Sequence, residues 1–399
     1  MGAQEPVFKM KAGTQIPDMG DAPLPVEPYI SPEFFERERE KIFKRAWLEV
    51  AREEDIPNPG DYLVQDIEVL KASVIVVRGQ DNKIRAFHNI CTHRGNKIAL
   101  KECGNAKYFT CGFHGWVYGN DGALKMITGK EHFPDYVDEK KLGLRTLACD
   151  TWKGFIFVHH NPNPPQGLRE FLGGMADQLD TFPHDQCQRI ARYTATPRVN
   201  WKVVLDAFQE AYHAIMVHRV SLPNSASGAG NPAAMPTSVR LHTPHRSISA
   251  WANPGYLPPE TGMIVGKYGP TFATEKSQFP GTNPDDDDSW WFDINVFFPN
   301  FFCDVGPGWY FTYNFWPVDV NHTRWIMDIY QLKAENAGAL LAQEHTKVLL
   351  RDAVLEDFGT LEDTQAMMES GALDALTISD GEIALRHQMH VVNQWLARP

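Results

Sequence analysis

Several things are missing from this 399-residue chain, and each absence closes a class of function. No run approaches the eighteen consecutive apolar residues that a membrane-spanning helix needs. The opening MGAQEPVFKMKAGTQIPDMG has neither an apolar core nor a small-residue cleavage site, which argues against a secretory signal. Pro6 stands where a myristoylation motif needs Ser or Thr. Six cysteines are too few for a disulfide framework. Basic residues are in the minority, 38 against 50 acidic ones, for a formal charge of −12. Neither nucleic acid nor an anionic membrane suits such a surface. A cytoplasmic protein is expected.

The residues that are present describe a folded protein. Hydrophobic residues make up 43 % and aromatics 12 %, enough for a sizeable core, and the length suits two domains. Residues 31–48 carry a Ser cap, a Pro at the first helical position and spaced apolars, and predict a helix. From Val50 to His160 come short β-rich runs such as SVIVVRG, IRAFHNI and GFIFVHH, separated by turn signals. NPNPPQG at 161–167 reads as a linker. Beyond it, LREFLGGMADQLDTF is helical, RIARYTATPRVN strand-like and WKVVLDAFQEAYHAIMVH a long helical stretch. Strands return over 236–333, and 335–370 and 378–397 are helical. That pattern predicts an α+β domain with a sheet wrapped against helices. The acidic run Asp285–Asp288 reads as a solvated loop tip.

Cys91-Thr-His93 and Cys111-Gly-Phe-His114 are separated by seventeen residues. Zinc accepts mixed thiolate and imidazole ligands, but zinc ribbons usually pair Cys-x-x-Cys. Here each half supplies one cysteine and one histidine. That is the layout of a Rieske 2Fe–2S cluster, in which two cysteines hold one iron and two histidines the other. Respiratory-chain Rieske motifs add two bridging cysteines and a serine; Asn96, Phe113 and Trp116 occupy those places. Without the disulfide and the hydroxyl, the expected potential lies toward the low end of the Rieske range, about −150 mV.

His213 and His218 are five residues apart, which is about 140° on a regular helix. Both reach one metal only where the helix ends or bulges between them. Glu210 precedes His213 by three and shares its face, with Asp206 a further turn back. Two histidines and a carboxylate on one face of iron(II), other positions open, is the non-haem iron oxygenase arrangement. The carboxylate is expected from far along the chain.

Together these motifs resemble those of the α subunits of Rieske non-haem iron ring-hydroxylating oxygenases, over residues 30–397. The family motif runs Asn-Trp-Lys, then an acid, two residues, His, four residues, His. This chain has Asn200-Trp201-Lys202, Glu210, His213 and His218. The family's iron-binding aspartate sits in an acidic doublet with glutamine some eight residues on. LEDFGTLEDTQ offers Asp357 with Gln365, while Asp363 and Glu356 compete for the role.

The resemblance implies an α+β fold: an N-terminal helical segment over 1–44 packing on the catalytic domain, a small antiparallel β Rieske domain over 45–162, and a larger helix-grip catalytic domain over 163–399. It also implies a Rieske 2Fe–2S cluster on Cys91, His93, Cys111 and His114, and a mononuclear Fe(II) on His213, His218 and Asp357. Glu210 and Asp206 become the catalytic carboxylates, with Glu210 bridging an iron-bound histidine to a Rieske histidine of the neighbouring subunit. A ferredoxin or flavin reductase would supply electrons to a homotrimer, with or without β subunits, acting on O2 and a small organic substrate. The family commonly has Asp at the Glu210 position and often Asn at that of Asp206. Glutamate there resembles the branch that oxidises quaternary ammonium compounds.

The expected reaction is hydroxylation of an aromatic or polycyclic apolar compound. The alternative is monooxygenation or demethylation of a steroid or methylated amine; a non-catalytic Rieske electron carrier is more remote, since a carrier has no reason to keep the second set of ligands. For the pocket, Ala207, Ala211 and Ala214 either leave room for substrate or let a helix pack closely. The aromatic stretches Trp290–Phe302 and Trp309–Trp316 are expected in the core or an interface rather than around substrate. Arg240 and Arg246 are the available clamps for a carboxylate.

Overall fold

A computed structural model describes residues 9–272 and 279–399. The expectations resting on Met1–Phe8, Pro6 included, lie outside the described residues. Chain contacts separate two units, Arg39–Phe171 and Met1–Glu38 with Leu172–Pro399. The sequence placed these boundaries after residues 44 and 162. The helix expected over 31–48 is α-helical over Pro32–Glu38, turns once as a π-helix over Arg39–Phe43, and gives way to a strand at Trp47. All six residues of that strand, Trp47–Arg52, are buried, so no polar face remains to support a helix.

The smaller unit is built from two antiparallel sheets. Seven strands run in the order Trp47–Arg52, Phe155–His159, Thr146–Trp152, Ile84–His88, Ala72–Arg78, Asp61–Ile67 and Cys103–Asn105. Three more, Leu124–Met126, Val117–Gly119 and Tyr108–Thr110, form the second sheet. Tyr62, Ile75, Val77, Phe87, Phe109 and Tyr118 fill the core together with both ligand-like cysteines.

In the larger unit a meander supplies most of an eight-stranded sheet. Its strands are β1 (Cys187–Ala195), β2 (Ser238–His242), β3 (His245–Trp251), β4 (Trp290–Phe297), β5 (Phe301–Gly306), β6 (Trp309–Asp319) and β7 (His322–Leu332). β2 to β7 pair in sequence order, β1 pairs with β7, and Lys11–Ala12 adds a parallel edge to β2. Against it lie α1 (Trp201–Ala207), the one-turn α2 (Ala214–Val217), α3 (Ala337–Glu369) and α4 (Ile383–Ala397). α3 spans 33 residues, and its buried positions Ala353, Val354, Asp357, Phe358, Leu361, Gln365 and Met368 recur at three and four. They form one stripe facing the core.

The acidic run is less free than a loop tip. Asp285 accepts from Arg240 Nη2 at 2.8 Å and Asp287 from Lys11 Nζ at 3.1 Å. Both carboxylates are half-buried because they anchor the edge of the sheet.

Candidate metal centres and substrate cavity

Two loops of the smaller unit have the same backbone design. In the first, Cys91 N donates to Asn96 O at 2.8 Å and Gly95 N to Cys91 O at 2.9 Å. In the second, Cys111 N donates to Trp116 O at 2.8 Å and Gly115 N to Cys111 O at 3.0 Å. Gly95 and Gly115 close the turns at φ 83° and 72°, a region that only glycine enters freely. The loops bring the His93 and His114 rings to 4.6 Å, and Trp116 stacks on His93 at 4.8 Å. Burial opposes ionisation of Cys111, yet the Phe113 and His114 backbone amides and Cys91 hold its thiol below the usual range. Burial, with His114 and Arg94, holds the His93 imidazole below the usual range. Two cysteines and two histidines, with His93 Nδ1 buried and without a partner among the described residues, fit a Rieske cluster. The sequence reading missed Tyr118, whose hydroxyl lies 3.2 Å from Cys91 Sγ and 3.0 Å from Thr92 Oγ1.

The second centre depends on a broken helix. α1 stops at Ala207, and Gln209 turns inward to take Arg246 Nε at 2.5 Å and to donate to Asp206 at 3.0 Å and Gln388 at 3.1 Å. Glu210 then organises the loop: Oε2 accepts from the backbone of Tyr212 and, at 3.1 Å, from that of His213, while Oε1 takes His213 Nδ1 at 2.6 Å. His218 Nδ1 has its own carboxylate, Glu356 Oε2 at 3.0 Å. With both Nδ1 atoms engaged, both Nε2 atoms turn to Asp357 Oδ1, at 3.6 Å from His213 and 3.4 Å from His218. One donor atom from each of the three lies within 4.8 Å of the others. Burial pushes the Asp357 carboxyl up to about 6, against the pull of His213 and His218.

The arrangement fits the two-histidine, one-carboxylate set of a non-haem iron(II) site, each imidazole oriented through its other nitrogen. Of the two competing acids, Glu356 holds His218 from behind and Asp363 is exposed on the outer face of α3.

Residues of the sequence motif hold this geometry from a distance. Asn200 caps α1 by accepting from Lys202 N at 3.0 Å, and its own N–H donates to Gln365 Oε1 at 2.9 Å. Gln365 lies on the buried stripe of α3, so the bond fixes the register of α3, and with it Asp357, against α1. Lys202 pairs with Glu38 at 2.8 Å, both fully buried. Asp206 does not line the cavity described below. It accepts from Tyr29 Oη at 2.8 Å in a buried network with Gln209, and burial pushes its carboxyl up to about 7.

The three ligand residues open on a cavity of about 300 Å³. Its aromatic wall corrects the expectation that these strands serve only core or interface: Trp291, Phe292, Trp309, Phe311 and Tyr313 all line it. Alternation along β6 turns Trp309, Phe311 and Tyr313 toward the cavity, as it does Phe292 and Ile294 on β4, where Trp291 at the strand's start lines it too. Ala211 and Ala214 line it and Ala207 does not; no Lys or Arg is among the lining residues. Arg240 and Arg246 are not clamps there. The first binds Asp285, and the second is buried against Gln209 and Gln388.

Comparison with known proteins agrees with this architecture. Residues 46–137 match the Rieske [2Fe-2S] domain, and residues 184–398 match the ring hydroxylating alpha subunit (catalytic domain) family. The carnitine monooxygenase oxygenase subunit of Escherichia coli (strain K12) is 31 % identical over 197 residues, 49 % of this chain and 52 % of that protein. The large oxygenase component of the naphthalene 1,2-dioxygenase system of Pseudomonas aeruginosa is 35 % identical over 219 residues, 52 % and 48 % of the two chains. The chain thus spans about half the length of the curated relatives it matches. Among solved structures, a quaternary ammonium Rieske monooxygenase superposes with a TM-score of 0.75 at 22 % identity, covering 96 % of this chain and 99 % of that one. Naphthalene 1,2-dioxygenase from Rhodococcus sp. gives 0.74 at 21 % identity, covering 96 % of each chain. Sequence motifs, fold and ligand geometry converge: the chain belongs to the ring-hydroxylating α-subunit family, with a Rieske domain preceding the catalytic domain.

Proposed function

We propose that this protein is the terminal oxygenase component of a system that uses O2 and reductase-supplied electrons to hydroxylate an aromatic or polycyclic apolar compound. The observation that carries the reading is the cavity beside His213, His218 and Asp357, walled by aromatic rings and without a basic side chain among its lining residues. A planar hydrocarbon is held there by burial and ring contacts, which need no counter-charge. Iron bound by these three residues supplies O2 activation, and a cluster on Cys91, His93, Cys111 and His114 supplies single electrons. Glu210 and Glu356 keep the Nδ1 protons and so hold both Nε2 lone pairs toward the metal position. The apolar walls orient the ring and exclude water.

A ferredoxin or flavin reductase as donor, a homotrimer, and Glu210 as the link to a neighbouring subunit's cluster belong to the same proposal. The opposite signal is also present. Aromatic faces attract a methylated ammonium group, which supports demethylation of a methylated amine as a second reading. The lack of a lining Arg or Lys weakens it for amines that carry a carboxylate.

Product analysis under 18O2 with a surrogate reductase separates the two. Labelled hydroxyarene from naphthalene is expected, and it should vanish in His213→Ala. Formaldehyde from a trimethylamine compound with no arene product would replace the first reading by the second.

A further inference from the structure

Three carboxyl groups line the cavity, and two of them, Glu210 and Asp357, face the histidines. The third, Asp304, has no such role. It sits on β5 in register with Phe311 of β6, and only 2 % of it is exposed. Its Oδ1 accepts one 3.3 Å hydrogen bond, from Asn295 N, and among the described residues no cation pairs with it. Burial pushes its carboxyl well above the usual range; the Asn295 amide opposes this and the Asp293 charge adds to it. Burial thus favours the protonated carboxyl, which both donates and accepts.

A second polar group shares this wall. Gln331 on β7 lies opposite Trp309 in register and is 7 % exposed. Its Nε2 donates to Thr346 Oγ1 at 3.2 Å, while its buried Oε1 accepts nothing among the described residues. The rings of Trp309 and Phe311, stacked at 4.9 Å, adjoin both groups in the strand register. Unmet polar atoms in an apolar wall are destabilising until something bonds to them. A wall built only to hold hydrocarbon has no use for either.

We propose that Asp304 and Gln331 are specificity-determining residues that grip an O–H or N–H group on an otherwise apolar aromatic substrate. The inference rests on the aromatic reading above. An unsubstituted ring leaves Asp304 with only its bond from Asn295 N and Gln331 Oε1 with no partner among the described residues, so the site discriminates against it even where shape and size fit. The acid on β5 and the amide on β7 hold the polar end of the ring system, which sets the face or edge that reaches the metal ligands.

Equilibrium dialysis of the full-length, metal-loaded protein against naphthalene and 2-naphthol tests this without turnover. The native protein should hold 2-naphthol about fivefold more tightly, the factor expected for one net hydrogen bond. Asp304→Leu should abolish the preference, Gln331→Leu reduce it, and Asp304→Asn, which still donates and accepts, preserve most of it. No preference in the native protein, or one unchanged in Asp304→Leu, overturns the inference and leaves the aromatic reading standing. If Asp304→Leu does not fold, an unaltered preference in Gln331→Leu decides against it. Failure of both probes to bind overturns both readings. Binding of phenyltrimethylammonium that is lost in Asp304→Asn would assign Asp304 to charge recognition instead.

Discussion

The cysteine–histidine loops of the smaller unit and the histidine–aspartate cluster of the larger one each gather two imidazoles, by opposite routes. Cys91 to Trp116 is a single short stretch whose two turns repeat the same backbone hydrogen bonds around a left-handed glycine. The second cluster needs a helix interrupted at Gln209 and a carboxylate pair on another helix; His218 and Glu356 are 138 residues apart. Each loop sets its own cysteine and histidine through these backbone bonds, and the two loops meet where the two sheets of the smaller unit pack. A site assembled from α1, α2 and α3 exists only once those elements have packed, so it depends on bonds distant from the metal.

The strongest test of that contrast is Asp357→Ala. It should reduce iron from about three to about two per chain, as counted for a two-iron cluster plus a mononuclear site, and abolish turnover with the cluster spectrum intact. Asp363→Ala should change neither, and equal losses would return the ligand assignment to the choice open in the sequence. Next come the two carboxylates behind the histidines. Removing an outer partner of a ligand typically weakens metal binding about 10–100-fold, the result expected for Glu356→Ala in a competition with a chelator. Glu210→Gln still accepts from His213 Nδ1, so it should retain both metals yet lose turnover; full activity would end the bridging role.

A smaller effect follows from Gln365→Leu, which leaves the buried Asn200 N–H without its acceptor. A loss of about 1–3 kcal/mol in unfolding free energy is expected, with mononuclear iron falling alongside it. A stability loss without any loss of iron would show that Gln365 does not set the position of Asp357.

Asp206 offers a pH test within the same network. Its folded-state value of about 7 lies above the ordinary value of about 3.9. The folded chain therefore binds the proton more tightly, and this contribution is full at low pH and lost as pH rises through that interval. Asp206→Asn should reduce the fall in Tm between pH 5 and pH 8; an unchanged slope would place the titration elsewhere.

The smallest effect concerns the local centre. Tyr118→Phe removes a hydroxyl from Cys91 Sγ, and one net hydrogen bond to the reduced cluster corresponds to about 40 mV for a one-electron couple. The midpoint should move down by that amount, with Trp116→Ser, the respiratory-chain residue, moving it up.

Legibility followed the same division. Each Rieske candidate could be read because Cys-x-His and Cys-x-x-His are sufficient in themselves, whereas Tyr118 escaped because a donor to sulfur carries no spacing rule of its own. On α3, the three-and-four recurrence of buried residues places Asp357 on the core stripe and Asp363 off it. LEDFGTLEDTQ alone does not show that stripe, because its Leu355 is 60 % exposed while Asp357 is buried. The aromatic strands were assigned to the core or an interface because a buried strand looks the same from sequence whether its neighbour is a side chain or a cavity. Arg246 looked available for a carboxylate because nothing local announces Gln209 and Gln388 as its partners.

The sequence by itself determined the ligand types and their order, since side-chain identity is a local property. It put a helix end or bulge between His213 and His218, whereas the helix breaks before His213, between Ala207 and Ala214, and the two histidines flank the single turn of α2. Only the tertiary structure decided that Glu356 supports His218 while Asp357 faces both imidazoles, and that Asp304 and Gln331 share a wall with Trp309 and Phe311. Those relations come from strand register and from the fit of α3 on α1. Both are set by which buried polar groups find partners across the fold, and no short window of residues contains that information.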